Sequence, residues 1–429
     1  MASLPVSTTT RVVPFGRLAE RSRAFGEPKA LLATREAAAR MLDPLVLPDR
    51  ARHLWRYTNP ELFVPRADPT QPSPTDVSFA WRLEGPRSAA ALVAGGATHL
   101  VELDEAARAA GVRVLDLHTA GEAVALLGQA VPANHGFVEA INAAAWAGGV
   151  WVDVPAGVTL EEPTRLRIVA SPAGSVTLPR VLVRMGRGAS AEVVESHVQG
   201  DRASAQVLGV TEILAEESSR VRYSLVQRWL PGVHGHLTLR ARLQRAATLQ
   251  LVLASFGGMT TKADVGAVLE GEGAQVETFG VAMGGDVQEM DHHTEHLHHA
   301  PHTRSNLDFK VALTQAARSA YTGMIRITGG AGGSEAYQEN RNLLLSPDAR
   351  AESIPELEIL TDDVRCSHGA TVAPLDPEQL FYLGSRGLAR GQATRLIVYG
   401  FLDQTLRKLP ETTRERIEAL IAERLHSED

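Results

Sequence analysis

The sequence predicts a mainly β protein, a β-solenoid flanked by helical N-terminal and C-terminal regions. Three observations carry this prediction. From about residue 137, runs such as VWVDVPAGVTL, RVLVRMGRGASAEVVESH and HLTLRARLQRAATLQLVLASF alternate apolar and polar residues with period two, each bounded by glycine or a charged turn, and helical spacing is absent. A small residue precedes a strand near Ala189, Ser219, Ala247 and Ala274, a spacing of about 27 to 30 residues that falls in the solenoid range. Aromatic residues make up only 5% of the chain, which suits a narrow interior stacked with Val, Leu, Ile and Ala. A sandwich or a barrel would show as many short strands; the scarcity of aromatics favours the solenoid.

The N-terminal region, 1–136, reads as mostly helical. PKALLATREAAARMLDPL spaces Leu31, Leu32, Ala38, Met41 and Leu42 for an amphipathic helix that ends near Pro44. RADPTQPSPTD (66–76) is a proline-rich loop. VELDEAARAAGVRVLDL and TAGEAVALLGQAV read as short helices with a strand between them. The β core covers 137–374. The C-terminal region, 375–429, is helical again: Asp376 before Pro377 makes an N-cap and first turn, and PEQLFYLGSRG stops at Gly387. GQATRLIVYGFLDQTLRKLP sets Leu396, Ile397, Phe401, Leu402, Leu406 and Leu409 along one stripe, and Thr413 opens the last helix. That stripe exceeds what a short helix pair can hide. It either packs on the solenoid end as a cap or docks another protein.

A chain of 429 residues implies two or three folding units, and 44% hydrophobic with 22% charged residues is globular. The net charge of −7 offers no basic field for nucleic acid or an anionic membrane. One cysteine excludes an intrachain disulfide framework and fits a reducing compartment. The opening MASLPVSTTTRVVPFGR lacks the apolar core of a signal peptide, and no run approaches the ~20 apolar residues of a membrane span. A cytoplasmic location is expected.

Three stretches could carry chemistry. DHHTEHLHHAPHTRS holds His292, His293, His296, His298, His299 and His302, and histidine is a common ligand for zinc, iron and copper. In a single strand His292, His296, His298 and His302 would share one side, but Pro301 argues for a polar loop instead. TGGAGGSEA (328–336) is glycine-rich without the lysine of a phosphate loop, and reads as a loop between strands. DVRCSHGATV holds the lone Cys366 two positions before His368. In an extended strand both side chains project from one face, as a nucleophile with its base, as half of a metal site, or as a buried spectator thiol with a neighbour. An iron–sulfur cluster normally takes four ligands, so any such role needs donors from another chain.

QENRNLLLSPDARAESIPELEILTDDVRCSHGATVAPLDPEQLFYLGSRGL (338–388) resembles the signature of the SufB/SufD family of iron–sulfur cluster assembly proteins, and its CSHGAT form resembles the SufD branch. The likeness extends through DHHTEHLHHAPHTRSNLDFKVAL, ARSAYTGMIRI, FVEAINAA, GGVWVDVPAGV and WRYT (55–58), and so covers most of the chain. It implies a right-handed parallel β-helix between helical flanks. It also implies pairing with SufB through the end of that β-helix, and docking of a SufC ATPase by the C-terminal helices. Sulfur would come indirectly from a cysteine desulfurase system.

On this resemblance the chain is itself non-enzymatic, and its cargo is a transient cluster or iron shared with SufB, with nothing tightly bound to the lone chain. His368 matches a histidine implicated in cluster formation at the interface, and Cys366 matches its neighbouring cysteine. His298 and Thr303 fall in an H…P.T.S pattern of related chains. Departures are Arg365 where lysine is commoner, Thr314 where aspartate is usual, and NLDFK in place of QLYK. Whether a flavin joins the complex, and whether the chain forms a homodimer when alone, stay open. Two other readings compete: a SufB-like homodimeric scaffold, and a β-helix enzyme acting on polysaccharide, which would need paired carboxylates on neighbouring coils.

Overall fold

The structure, a computed structural model, describes residues 13, 15–51, 53–66, 68–70, 85–170, 175–199 and 204–426. Most of the proline-rich stretch 66–76 and of the opening residues lies outside this set. The N-terminal elements are α1 (Leu18–Ala24), α2 (Lys29–Arg40), β1 (Ala89–Ala94), β2 (Ala97–Leu103), α3 (Glu105–Ala109), β3 (Arg113–Asp116) and α4 (Phe137–Ala145). Strands then follow without a helix. They are β4 (Gly149–Val154), β5 (Thr164–Ala170), β6 (Val176–Thr177), β7 (Arg180–Met185), β8 (Ser190–Gln199), β9 (Ala205–Ala215), β10 (Arg220–Arg228), β11 (Val233–Leu243) and β12 (Thr248–Ser255). The series continues with β13 (Thr260–Leu269), β14 (Gln275–Gly284), β15 (Glu289–His298), β16 (Arg304–Leu313), β17 (Arg318–Ile327), β18 (Ser334–Leu344), β19 (Arg350–Ile359) and β20 (Val364–Pro374). Helices α5 (Pro377–Ser385), α6 (Arg390–Leu406) and α7 (Glu411–His426) close the chain.

From β8 onward consecutive strands alternate between two ten-stranded sheets, so every neighbour in a sheet is the same strand of the next coil. All rungs of this region are parallel and in register, as the period-two pattern predicts for a β-solenoid. Alternate residues point inward and stack in columns. One column runs Val193, Tyr223, Leu251, Thr278, Leu307, Gln338 and ends at His368. The interior is mostly Val, Leu, Ile and Ala, and Val207, Ile213, Leu239, Leu243, Val311 and Leu313 are fully buried.

The repeat seen in the sequence is a corner. Gly188, Ser218, Ala246, Gly273, His302 and Gly333 all adopt positive φ, between 55° and 72°. The N–H of each donates to a carbonyl of the next coil, as in Ser218 to Arg245 O at 2.9 Å and Ala246 to Glu272 O at 2.9 Å. The residue after each corner turns into a space too narrow for a large side chain: Ala189, Ser219, Ala247, Ala274 and Thr303 are fully buried.

Three features differ from expectation. Residues 137–145 form helix α4, because Val138, Ile141 and Ala145 repeat with helical spacing over too short a span to stand out beside the long period-two pattern. The sheet starts earlier than residue 137, since β1 pairs in parallel with β5 while β2 and β3 pair antiparallel at the N-terminal end. Met41 is 57% exposed, off the buried stripe that Leu31, Ala38 and Leu42 form.

Each sheet has an outer face as well. That of the β7–β9 sheet is covered by α2, α4 and their loops through Leu31, Phe63, Trp146, Trp151, Leu182 and Leu208. The WRYT segment fastens this layer down: Thr58 Oγ1 donates to Asp291 Oδ2 at 2.6 Å, and Lys262 Nζ donates to the same oxygen at 2.8 Å and to Leu54 O at 2.6 Å. Helices α6 and α7 cover the other sheet through Val398, Leu402, Leu406, Ile417 and Ile421, packed on Val252, Phe279, Val281 and Ala312. They lie on the side of the solenoid and do not cap its end. No helix among the described residues is long and apolar enough to cross a membrane.

Candidate functional site

Both sheets run out at the C-terminal end. β19 pairs only with β17 and β20 only with β18, so each presents an unpaired edge at the same end of the solenoid. Such edges template pairing with a further strand; Pro355 inside β19 and Pro374 at the last position of β20 are the residues along them without an N–H to donate. The interior columns end there uncapped. Cys366, His368, Ala370 and Val372 continue the inward positions of Ala336, Gln338, Asn340 and Asn342. Val372 is 44% exposed and His368 is exposed, whereas Cys366 is half-buried against Ile325, Ile327, Ala336 and Leu357.

Beneath these residues lies a layer of buried amides. Asn340 Nδ2 donates to Phe309 O at 3.1 Å, and Asn342 Nδ2 donates to Asn340 Oδ1 at 2.7 Å. Ser353 Oγ donates to that same Asn340 oxygen at 2.6 Å, and Gln338 Nε2 donates to Gly323 O at 3.2 Å. The carbonyl oxygens of Gln338 and Asn342 are buried with no partner. The polar floor was missed in reading the sequence, although QENRN places Gln338, Asn340 and Asn342 at strand spacing, all inward.

Burial raises the pKa of the Cys366 thiol, so it is a neutral thiol at neutral pH and gives up a proton when it takes a metal. Cys366 and His368 together offer one sulfur and one nitrogen. Among the described residues no group of three or more His, Cys, Asp or Glu converges as a metal site.

The histidine tract is a strand, not a polar loop, and Pro301 lies beyond its end. His292, His296 and His298 do share one side, facing the solenoid interior, while His302 leaves the strand at a corner with φ 57°. Each inward ring sits on hydroxyls: His292 on Ser255 at 3.0 Å, His296 on Thr278 at 3.0 Å, His298 on Thr303 and Ser305 at 2.8 Å each. Burial lowers their pKa values to about 4, about 3 and about 4. His293 faces outward onto Asp264 at 2.5 Å, which also accepts from Arg240 and holds His135. His299 is exposed.

The C-terminal stripe divides. Leu402, Leu406 and Leu409 are buried in the chain's own core, Ile397 and Phe401 pack partly against it, and Leu396 alone is widely exposed at 53%. The three buried leucines therefore do not line a docking surface. More apolar area stands free on α5, where Phe381 is 79% and Tyr382 57% exposed beside a groove lined by Leu345, Pro374, Leu375 and Leu380.

The described residues thus define a parallel β-solenoid with one end closed by antiparallel strands and the other left open, where one sulfur and one imidazole donor stand together. Residues 168–401, more than half of the chain, match the SUF system FeS cluster assembly, SufBD core domain. The chain belongs to the SufB/SufD family of the SUF iron–sulfur cluster assembly system, which is not a known catalytic family. It is 29% identical over 281 residues to the iron–sulfur cluster assembly protein SufB of Bacillus subtilis, covering 65% of this chain and 60% of that protein. A SufBD family protein of Staphylococcus saprophyticus is 29% identical and one of Staphylococcus epidermidis 30% identical, over the same shares. The matches thus span 60% of the length of these relatives.

Proposed function

We propose that this chain is a SufD-like subunit that pairs with a SufB chain through the open end of its solenoid and docks a SufC ATPase with its C-terminal helices. The observation that carries the reading is the final coil, where two free strand edges flank Cys366 and His368 at an uncapped mouth. A partner coil laid on these edges satisfies their backbone groups and covers Val372, Ile359 and Leu360, which are 44%, 38% and 59% exposed. It also brings the donors that a cluster requires beyond the two of this chain.

His368 then serves as an iron ligand at the junction, since neutral imidazole binds borderline metals. Cys366 adds a thiol whose deprotonation is coupled to metal arrival. The nascent cluster is cargo shared across the junction. Phe381, Tyr382 and Leu396 form the free apolar surface for the ATPase.

The name of the Bacillus relative favours a second reading, a SufB-like scaffold pairing with its own copy. Co-expression with SufB and SufC tests the first: the chain co-purifies with both. Recovery as a homodimer that excludes SufB supports the second.

A further inference from the structure

A cavity of about 280 Å³ lies at the N-terminal corner of the molecule, remote from the final coil, between α1, the Gly95–Gly96 turn of the β1–β2 hairpin and β6. Arg17 and Glu20 stand exposed at its mouth, and Ala24 and Phe25 continue α1's side of it. Most of the remaining wall is apolar, with Pro69, Ala147, Val176 and Leu178.

Arg21 also lines this cavity and is only 9% exposed. Its Nη1 donates to Ala145 O at 2.9 Å and to Pro69 O at 3.3 Å, but its Nη2 is buried with no hydrogen-bond partner. The neighbouring carboxylates are already engaged. Glu27 accepts from Arg35 Nη2 at 2.7 Å and holds His118 at 2.6 Å; Glu212 pairs with Arg180; Asp68 accepts from Thr70 Oγ1 at 2.6 Å. Glu27 and Asp68 act on the Arg21 charge through space, but neither accepts a hydrogen bond from Nη2. A buried N–H without an acceptor is costly. Burial and Arg35 lower the Arg21 pKa to about 10, which leaves it charged at neutral pH.

We propose that this cavity binds a small organic monocarboxylate, its carboxylate on Arg21 and its apolar body against Phe25, Pro69, Val176 and Leu178. A carboxylate supplies the acceptor that Nη2 lacks, and the apolar wall excludes compact, heavily hydrated anions such as inorganic phosphate.

Calorimetric titration of the full chain with benzoate and octanoate, against benzamide and octanamide, tests this. The acids are expected to bind saturably at one site, at least about tenfold tighter than the amides. Arg21→Met abolishes binding. Ala24→Trp blocks the mouth from an exposed helix position with Arg21 intact, so it abolishes binding even if Arg21→Met fails to fold. Equal affinity for acid and amide, no saturable binding, or binding that survives Ala24→Trp overturns the proposal, as does a crystal structure with a group of the chain itself on Arg21 Nη2.

Discussion

Gln338 and His368 are successive members of one inward column, paired rung to rung between β18 and β20, yet Gln338 is fully buried and His368 is exposed. The boundary of the solenoid interior passes between them. What would be core in any earlier coil is surface here because β20 is the last strand among the described residues. The reading of the chain as one half of a larger assembly rests on that discontinuity.

His368 makes no hydrogen bond to another described residue, so its removal leaves the lone chain intact. His368→Ala is expected to keep the wild-type melting temperature while lowering cluster yield in a complex co-expressed with SufB and SufC, read from iron and sulfide content. Cys366→Ser in the same complex separates the thiol's contribution from that of the imidazole. Undiminished yield for His368→Ala removes the imidazole from the mechanism.

Gly280 sits in β14 where the ring of Phe309 crosses it, and a Cβ there would lie 2.0 Å from Phe309 Cδ2. Phe309 is fully buried and wedged between the tilted rings of His292 and Tyr321, at 4.9 Å and 5.1 Å between centroids, so it cannot retreat. Gly280→Ala should therefore destabilise the chain by about 1–3 kcal/mol, an overpacking penalty, measured as a drop in the urea midpoint.

The buried histidines make the chain acid-labile in a defined window. Burial lowers the pKa values of His236, His292, His296 and His298 to about 4, about 4, about 3 and about 4 from the ordinary 6.5. Between those limits the unfolded chain binds protons that the folded chain refuses, so stability falls as pH drops from 6.5, by about 1.4 kcal/mol per histidine per pH unit. His135, raised by its hydrogen bond to Asp264, acts in the opposite sense: its contribution is present below 6.5 and fades as pH rises. Glu27, held down to about 2, adds a further loss only below its ordinary 4.5. Urea midpoints measured from pH 7 to pH 5 should decline steadily; a flat profile contradicts the buried neutral ladder.

Leu396 and Leu402 lie six residues apart on α6 with opposite fates. Leu396→Asp is expected to weaken ATPase co-purification without changing the melting temperature, because Leu396 is 53% exposed. Leu402→Ala should cost about 2–5 kcal/mol, because Leu402 is fully buried.

The solenoid was legible because a fold with period-two strands and tight corners writes both periods into the chain, and Ala189, Ser219, Ala247 and Ala274 mark the corners directly. The final strand with Cys366 and His368 on one face was legible for the same reason. Other features depend on what lies across the chain. Alternation reveals that His292, His296 and His298 share a side, but not that the side is the interior, where Ser255, Thr278 and Ser305 wait as partners. The apolar stripe of α6 shows that leucines need covering, and whether the cover is Phe279 and Val281 or another protein is decided only by packing. The amide floor under His368 was hidden because polar residues inside a strand read as an outer face.

Val372→Asp tests the central claim most directly. It places a charge at the open mouth, where Val372 is 44% exposed. Native mass of the chain co-expressed with SufB should show a heterodimeric assembly for the wild type and separate, folded chains for Val372→Asp. A variant that still assembles at wild-type stoichiometry would contradict pairing through the final coil.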